Sequence, residues 1–337
     1  MSEQQEYVDG MITRFWQYRE NVFRGLRCPD CSAQRDPHRP LRPPVFCKIH
    51  QDRNVIIDPG ASPANRASVL ATLDKTRRHM WFGSMRSSQA LAQSVFGNLQ
   101  VSTKLHLLAC LQSEEGLPAF FNVVPPGKDF ALDRPMHHLR KYLGERIPTS
   151  VDLFVVESPV VAGECKLMEE EIGGCSRPNL PKKDEKYCDG RYVRPAGWTT
   201  RCSLAEKSNV RYWDYVPHLF PSWAANVDHD PCPLRVPYQL VRNVLAACLR
   251  SDGRLDRAAG HALLLYDNRN PAFRSNGAAA KAYESARTAL VDPALLRRCS
   301  WQRLIGCLEQ DPELRWLLAE IRAKYGLTGT GTDRSAP

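Results

Sequence analysis

The segment Val151-Asp-Leu-Phe-Val-Val-Glu-Ser-Pro-Val-Val-Ala-Gly-Glu-Cys-Lys166 constrains this chain more than any other. Two β-branched runs, Val151–Glu157 and Val160–Lys166, flank Ser158-Pro159, a hairpin signal. A turn on Glu157-Ser158-Pro159 sets Val156 opposite Val160, and carrying the pairing outward sets Asp152 opposite Glu164. Directly opposed residues share a face of the sheet, with Cβ atoms ~5 Å apart. Lys166 lies two residues beyond Glu164 and so points to the same side.

Two carboxylates that meet in an otherwise apolar hairpin are costly, because like charges repel and ionised groups lose hydration. A divalent cation resolves the conflict. Mg²⁺, or Mn²⁺ in its place, accepts one or two carboxylates together with waters and phosphate oxygens. Such an ion polarises a phosphodiester and acidifies a water, and a neighbouring lysine can place that water or offset the growing charge. A surface salt bridge uses the same residue types. The apolar context and the opposed Asp152 distinguish this segment from Asp184-Glu-Lys186, which lies in the charged run Lys182–Lys186 and reads as solvated loop.

The remaining pattern supplies a frame. Ser62-Pro63 opens a helix expected to end near Met80, since Ser suits the cap and Pro the first turn. A second helix is expected over Ser84–Phe96, stopped by Gly97, and a third over Thr103–Leu111. Ala119–Val124 reads as a strand closed by Pro125-Pro126-Gly127, and Met136–Tyr142 fits either helix or strand. Residues 167–234 are rich in Gly, Pro, Cys and aromatics, with little periodicity, and read as an irregular insertion. Pro237–Leu249 is an amphipathic helix, His261–Tyr266 a strand, and residues 277–325 helical, with Pro293 and Pro312 near helix starts. The run Asp36–Pro44 reads as loop. The resulting division is a Cys/His-containing segment 1–60, a core 61–270 with the insertion 167–234, C-terminal helices 271–327 and a disordered tail 328–337.

The pattern Asp152…Glu164-Cys165-Lys166 resembles the signature of the PD-(D/E)XK nuclease superfamily, the restriction-endonuclease-like fold. Helix 84–96, strand 119–124, hairpin 151–166, helix 237–249 and strand 261–266 follow the element order αβββαβ of that family, over roughly residues 84–267. The resemblance implies an α/β fold with a mixed sheet, here carrying extra N- and C-terminal helices and the Cys-rich insertion. It implies that Asp152 and Glu164 bind Mg²⁺ with the carbonyl of Cys165, that Lys166 is the catalytic lysine, and that the substrate is DNA. The sequence departs from the signature in two places. Val151 precedes the aspartate instead of proline, and the first core helix offers Ser87-Ser88-Gln89 where many members carry a metal-assisting glutamate. Ser88 and Gln89 are candidate substrate contacts, as are Gln239 and Arg242 on the helix after the insertion, where some members place a glutamine and a tyrosine. The run Tyr266–Pro271 ends a core strand, a position from which a loop can reach substrate.

The chain has twelve cysteines. Cys110, Cys248, Cys299 and Cys307 lie in apolar helical patterns and are expected to be buried. Cys28-Pro-Asp-Cys31 and Cys47-Lys-Ile-His50 form a C-x2-C…C-x2-H array that fits structural zinc, although free thiols share the spacing. Cys175, Cys188, Cys202 and Cys232 are more widely spaced in the insertion, where they suit an iron–sulfur cluster, zinc, or buried unligated thiols. Some PD-(D/E)XK nucleases carry an iron–sulfur cluster, with a different cysteine layout. Lys207, Arg211, Tyr212, Trp213, Tyr215 and Trp223 interleave base-stacking and phosphate-tracking residue types, which would equally form a small core.

A net charge of +9 favours polyanionic partners. The start Met1–Glu6 lacks a basic region followed by an apolar run, and no apolar stretch approaches the ~20 residues that span a bilayer, so a cytoplasmic location is the expectation. The rival to a nuclease is a non-catalytic nucleic-acid-binding protein organised by zinc or an iron–sulfur cluster; a metal- or redox-sensing interaction protein built on the cysteines is a second.

Overall fold

Among the described residues, five strands build one sheet in the order β1-β2-β3-β4-β5. They are β1 Phe130–Pro135, β2 Ser150–Val155, β3 Val160–Cys165, β4 Gly260–Tyr266 and β5 Leu296–Ser300. The computed structural model describes residues 1–31, 42–120, 130–146, 150–156 and 159–329. The first two pairings are antiparallel, while β3-β4 and β4-β5 are parallel. Every residue of β4 is buried, as a central strand covered on both faces requires. The β2-β3 register, Leu153↔Gly163 through Val155↔Val161, is the one the hairpin pattern predicts.

The helices are α1 Glu3–Val22, α2 Pro63–Ala71, α3 Ser88–Ala92, α4 Asn98–Val101, α5 His137–Leu143, α6 Ser203–Ser208, α7 Tyr212–Leu219, α8 Tyr238–Cys248, α9 Ala278–Ala289, α10 Trp301–Leu308 and α11 Arg315–Tyr325. Two apolar cores result, one on each face of the sheet. On one face Phe15 of α1, Val95 and Phe96 between α3 and α4, and Trp301 of α10 pack against Leu153, Val161 and Leu265. On the other, Leu240, Val244 and Leu245 of α8 pack against Ala162 and Leu264. The apolar stripe of α8 thus lies on β3 and β4, and its polar residues Gln239 and Asn243 fall at the end of the sheet where β2 and β3 carry their acids.

Several expectations change against this fold. The helix from Ser62 is capped by Ser62 Oγ as predicted, but ends at Ala71 and gives way to a 3-10 turn at Lys75–Arg77. The helix expected at Ser84 starts at Ser88, capped by Ser87, and does not stop at Gly97. It runs through a π-turn, Gln93–Gly97, into α4. Gly97 serves close approach instead, since a Cβ there would meet Thr72 Oγ1 at 2.7 Å. Thr103–Leu111 contains a 3-10 turn, Leu105–Cys110, which leaves Cys110 exposed against Cys307 Sγ at 3.3 Å; Cys307 is half-buried, whereas Cys248 and Cys299 are buried as expected. The first strand of the sheet is Phe130–Pro135; residues 121–124 of the expected strand lie outside the described residues, as do loop residues 36–41, hairpin-turn residues 157 and 158, and tail residues 330–337. Met136–Tyr142 resolves as helix α5. Leu296–Ser300, expected to be helical, is the fifth strand.

Candidate active site

Asp152 and Glu164 lie one step beyond Leu153↔Gly163, the last pair of the β2-β3 ladder. Asp152 Oδ2 accepts the Cys165 backbone N–H at 2.7 Å, which ties its carboxylate to β3. Glu164 is 3% exposed. Its Oε1 lies 2.8 Å from Lys166 Nζ, and its Oε2 accepts from Asn243 Nδ2 at 3.3 Å. Lys166 Nζ also donates to Gln239 Oε1 at 3.1 Å. Behind the lysine, Trp301 Nε1 donates to the Lys166 carbonyl at 3.0 Å, and Lys166 N donates to Leu265 O at 2.7 Å, so its backbone is held from two elements.

Electrostatics at this cluster are strained in the direction the sequence suggests. Loss of hydration, and then the Glu164 charge, push the Asp152 carboxyl well above its ordinary range, with Lys166 and the Cys165 N–H opposing. Burial alone would depress Lys166, but Glu164, Glu169 and Asp152 outweigh it and hold the amine above its usual value as a firm cation. The donor set is hard, anionic and short of positive charge, which is what a divalent ion with oxygen ligands needs.

Two further acids belong to this neighbourhood, and neither was singled out from sequence. Asp133 interrupts the β1-β2 ladder between Leu132↔Leu153 and Arg134↔Val151, directly across from Asp152. Its backbone sits at φ 46°, an uncommon conformation for a residue with a side chain. Burial pushes its carboxyl up to about 6, with Arg77 and the Ser150 hydroxyl pulling down and Glu164 adding to the rise. Asp133, Asp152 and Glu164 therefore form a row across three adjacent strands. Glu169 follows β3: its Oε2 accepts from Leu167 N at 2.6 Å and its Oε1 from Ser88 Oγ at 2.9 Å. Asn270 clamps this loop by donating to the carbonyls of Leu167 and Glu169.

The other candidates separate. Gln239 reaches the cluster through Lys166, and Ser88 reaches its edge through Glu169. Gln89 is buried, and its amide is committed to the turn before α3, accepting from His79 N at 3.2 Å and donating to Arg77 O at 3.4 Å. Arg242 stands over the Tyr238 ring, 4.0 Å from Glu145, and lines a cleft with Arg146, Arg177, Lys186 and Tyr212. The loop after β4 faces inward: Asp267 is fully buried, bound by Arg269, Gln302 Nε2 and the Tyr7 hydroxyl. Of the aromatic and basic residues in the insertion, Tyr212, Trp213 and Trp223 are buried in the second core.

The N-terminal cysteines converge. The ligand atoms of Cys28, Cys31, Cys47 and His50 all lie within 4.8 Å of one another. Cys28 Sγ and Cys47 Sγ are 3.9 Å apart, and His50 Nδ1 is 3.5 Å from Cys31 Sγ and 3.4 Å from Cys47 Sγ. Tetrahedral zinc with its usual bond lengths separates two sulfurs by ~3.8 Å and sulfur from nitrogen by ~3.5 Å.

No helix among the described residues is long and apolar enough to cross a membrane. Compared with known proteins, the chain matches the model of a family described as Restriction Endonuclease associating with ARP over residues 44–326. Neither a curated protein nor a solved structure matches it.

Proposed function

The chain belongs to this restriction-endonuclease family, and on that premise we propose that it is a Mg²⁺-dependent nuclease of the PD-(D/E)XK type that hydrolyses DNA phosphodiester bonds. The observation that carries the reading is the convergence of Asp152, Glu164 and Lys166, with Glu164 and Lys166 buried. Asp152 and Glu164 would hold the ion together with the Cys165 carbonyl; once bound, it supplies a polarised phosphate and an acidified water. Lys166, kept charged by its acidic neighbours, is suited to stabilising negative charge on the attacked phosphate, and Gln239 and Glu164 fix where its amine lies. Asn243 orients Glu164 from α8. The cleft of Arg146, Arg177, Lys186 and Arg242 opens beside Ser150, two residues from Asp152, and offers four cations to a phosphate backbone.

The Cys28, Cys31, Cys47 and His50 set would hold one zinc ion, which would tie the Cys28–Cys31 pair to the Cys47–His50 pair. The family description names ARP as an associate; co-purification of the two chains would test that partnership here. The cytoplasm is the location that suits a DNA substrate.

The test is cleavage of plasmid and single-stranded DNA in Mg²⁺, wild type beside Lys166→Ala. The reading expects cleavage that needs the metal and falls at least ~100-fold in the variant. Metal-independent or unchanged cleavage would reject it, and binding without any cleavage would favour the non-catalytic rival.

A further inference from the structure

Cys175, Cys188, Cys202 and Cys232 come from four separate stretches of the insertion, yet all four line one cavity. The chain is laced to bring them there. Cys175 N donates to Arg235 O at 2.9 Å, Cys232 N donates to Gly190 O at 2.8 Å, and Tyr192 bridges to His229. All four are free thiols.

Burial pushes all four thiols up, and in each case the backbone N–H two residues downstream meets the sulfur and pulls the other way. These are Arg177 for Cys175, Gly190 for Cys188, Leu204 for Cys202 and Leu234 for Cys232. Cys202 also receives Ala205 N–H. A neutral thiol gains little from such donors, whereas a thiolate gains a charge-assisted bond from each. Four unrelated loops sharing one local geometry around one cavity is a pattern of ligation rather than of apolar packing.

An independent observation points the same way. Trp213 is 8% exposed, and its indole N–H, which meets no oxygen or nitrogen acceptor, is set against the Cys202 sulfur. Stacking on Tyr192 at 3.7 Å holds the ring in place. A neutral thiol is a weak acceptor for a buried N–H, whereas a ligating thiolate completes it. The cavity is also lined by Arg177 and Arg235, which would offset a net negative centre, and by Arg191 and Arg201, which pair with Asp189 and Asp228.

Size distinguishes the occupant. Among the described residues, only the Cys28 group gathers three or more ligand atoms within 4.8 Å, so no three of these four sulfurs come that close. A single zinc ion would need sulfurs ~3.8 Å apart. A cubane spreads its four thiolates over four different irons and suits a wider array.

We infer that Cys175, Cys188, Cys202 and Cys232 ligate a four-iron iron–sulfur cluster at the heart of the insertion. Iron and sulfide arrive as a preformed cluster, and each thiol loses its proton to solvent as its Fe–S bond forms. The cluster acts structurally. Two residues before Cys175, Gly173 has φ 126°, its carbonyl accepts Gln239 N at 3.0 Å, and a Cβ at Gly173 would collide with Gln239 Oε1. Gln239 in turn holds Lys166. The cluster thereby makes Gln239 a positioning residue for the lysine. This last link rests on the nuclease reading, whereas cluster binding does not.

The test is iron, acid-labile sulfide and zinc analysis of full-length protein purified without oxygen, with visible absorption and electron paramagnetic resonance after dithionite reduction. About four irons and four sulfides per chain are expected. A Cys188→Ala/Cys202→Ala double variant should lose at least three quarters of the iron, while Cys47→Ser keeps it. Should the double variant not fold, the wild-type stoichiometry and spectrum decide alone. Colourless protein that holds zinc in place of iron, or takes up no cluster on reconstitution with ferric iron, sulfide and a dithiol reductant, overturns the inference. A protein with the cluster but no DNA cleavage would leave the inference standing and sink the nuclease reading.

Discussion

Asp152→Asn should stabilise the metal-free protein while abolishing its response to Mg²⁺. Asparagine keeps the shape and can still accept the Cys165 N–H that Asp152 Oδ2 receives at 2.7 Å, so the change removes charge and little else. Two carboxylates ~5 Å apart in an effective dielectric of ~20 repel by about 3 kcal/mol. Lys166 offsets part of this, but it is already engaged with Glu164 at 2.8 Å. Protonation sets a ceiling: keeping an ordinary carboxyl protonated at pH 7 costs about 4 kcal/mol at most. A net gain of about 2 kcal/mol follows, worth a rise in Tm of about 3 °C at this chain length. The pH dependence follows from the direction of the shift. Asp152 is raised on folding, so the folded state holds a proton that the unfolded chain releases. Its cost is absent below about pH 4 and grows above it, so the advantage of the variant opens between about pH 4 and 7. Mg²⁺ at 100 times its Kd should then stabilise wild type by about 2.7 kcal/mol and Asp152→Asn hardly at all. Calorimetric melts in EDTA and in Mg²⁺, at pH 4 and 7, test each part. A variant less stable than wild type in EDTA at pH 7, or still stabilised by Mg²⁺, would refute the reasoning.

Gly173→Ala should cut DNA cleavage at least ~10-fold with the fold intact by circular dichroism, since a Cβ would collide with the Gln239 amide that holds Lys166; unchanged kcat would show that this contact does not matter. Arg146→Gln/Arg242→Gln should weaken DNA binding and lower the slope of log K against log salt by about 2, read by fluorescence anisotropy at several salt concentrations; an unchanged slope would remove the cleft from the DNA path. Burial, with the Arg297 charge adding, lowers the His261 imidazole to about 4, so stability present above about pH 6.5 is lost as pH falls through 4, by up to about 3 kcal/mol. His261→Gln should flatten that acid loss in urea melts between pH 7 and 4, and an identical slope in both proteins would refute the assignment.

How much of this could be read in the chain depended on whether a feature was local. The β2-β3 register was legible because alternation and a tight turn determine a hairpin completely, and the amphipathic stripe of α8 was legible for the same kind of reason. Strand β5 was not. Leu296-Arg-Arg-Cys-Ser300 is short, its two arginines spoil the apolar run, and it is a strand through parallel pairing with a distant β4. Gly97 resembled a helix stop because its use, close passage of Thr72, involves another element. Asp133 was hidden because it meets Asp152 across β1 and β2, which are joined through residues with no hairpin signal. Glu169 was hidden in the acidic run Glu169-Glu-Glu171, which has the composition of a solvated loop. The Cys28–His50 array was visible from short-range spacing, whereas the common i+2 donor geometry of Cys175, Cys188, Cys202 and Cys232 emerges only from the folded loops.

The account turns on whether one divalent ion is shared by the acids of neighbouring strands. Anomalous diffraction from crystals soaked in Mn²⁺, wild type beside Asp152→Asn/Glu164→Gln, asks this directly. A manganese peak within ~2.3 Å of carboxylate oxygens of both Asp152 and Glu164, lost in the double variant, is the predicted result. Density with no such peak at saturating Mn²⁺, or a peak on one acid alone and far from the other, would contradict it.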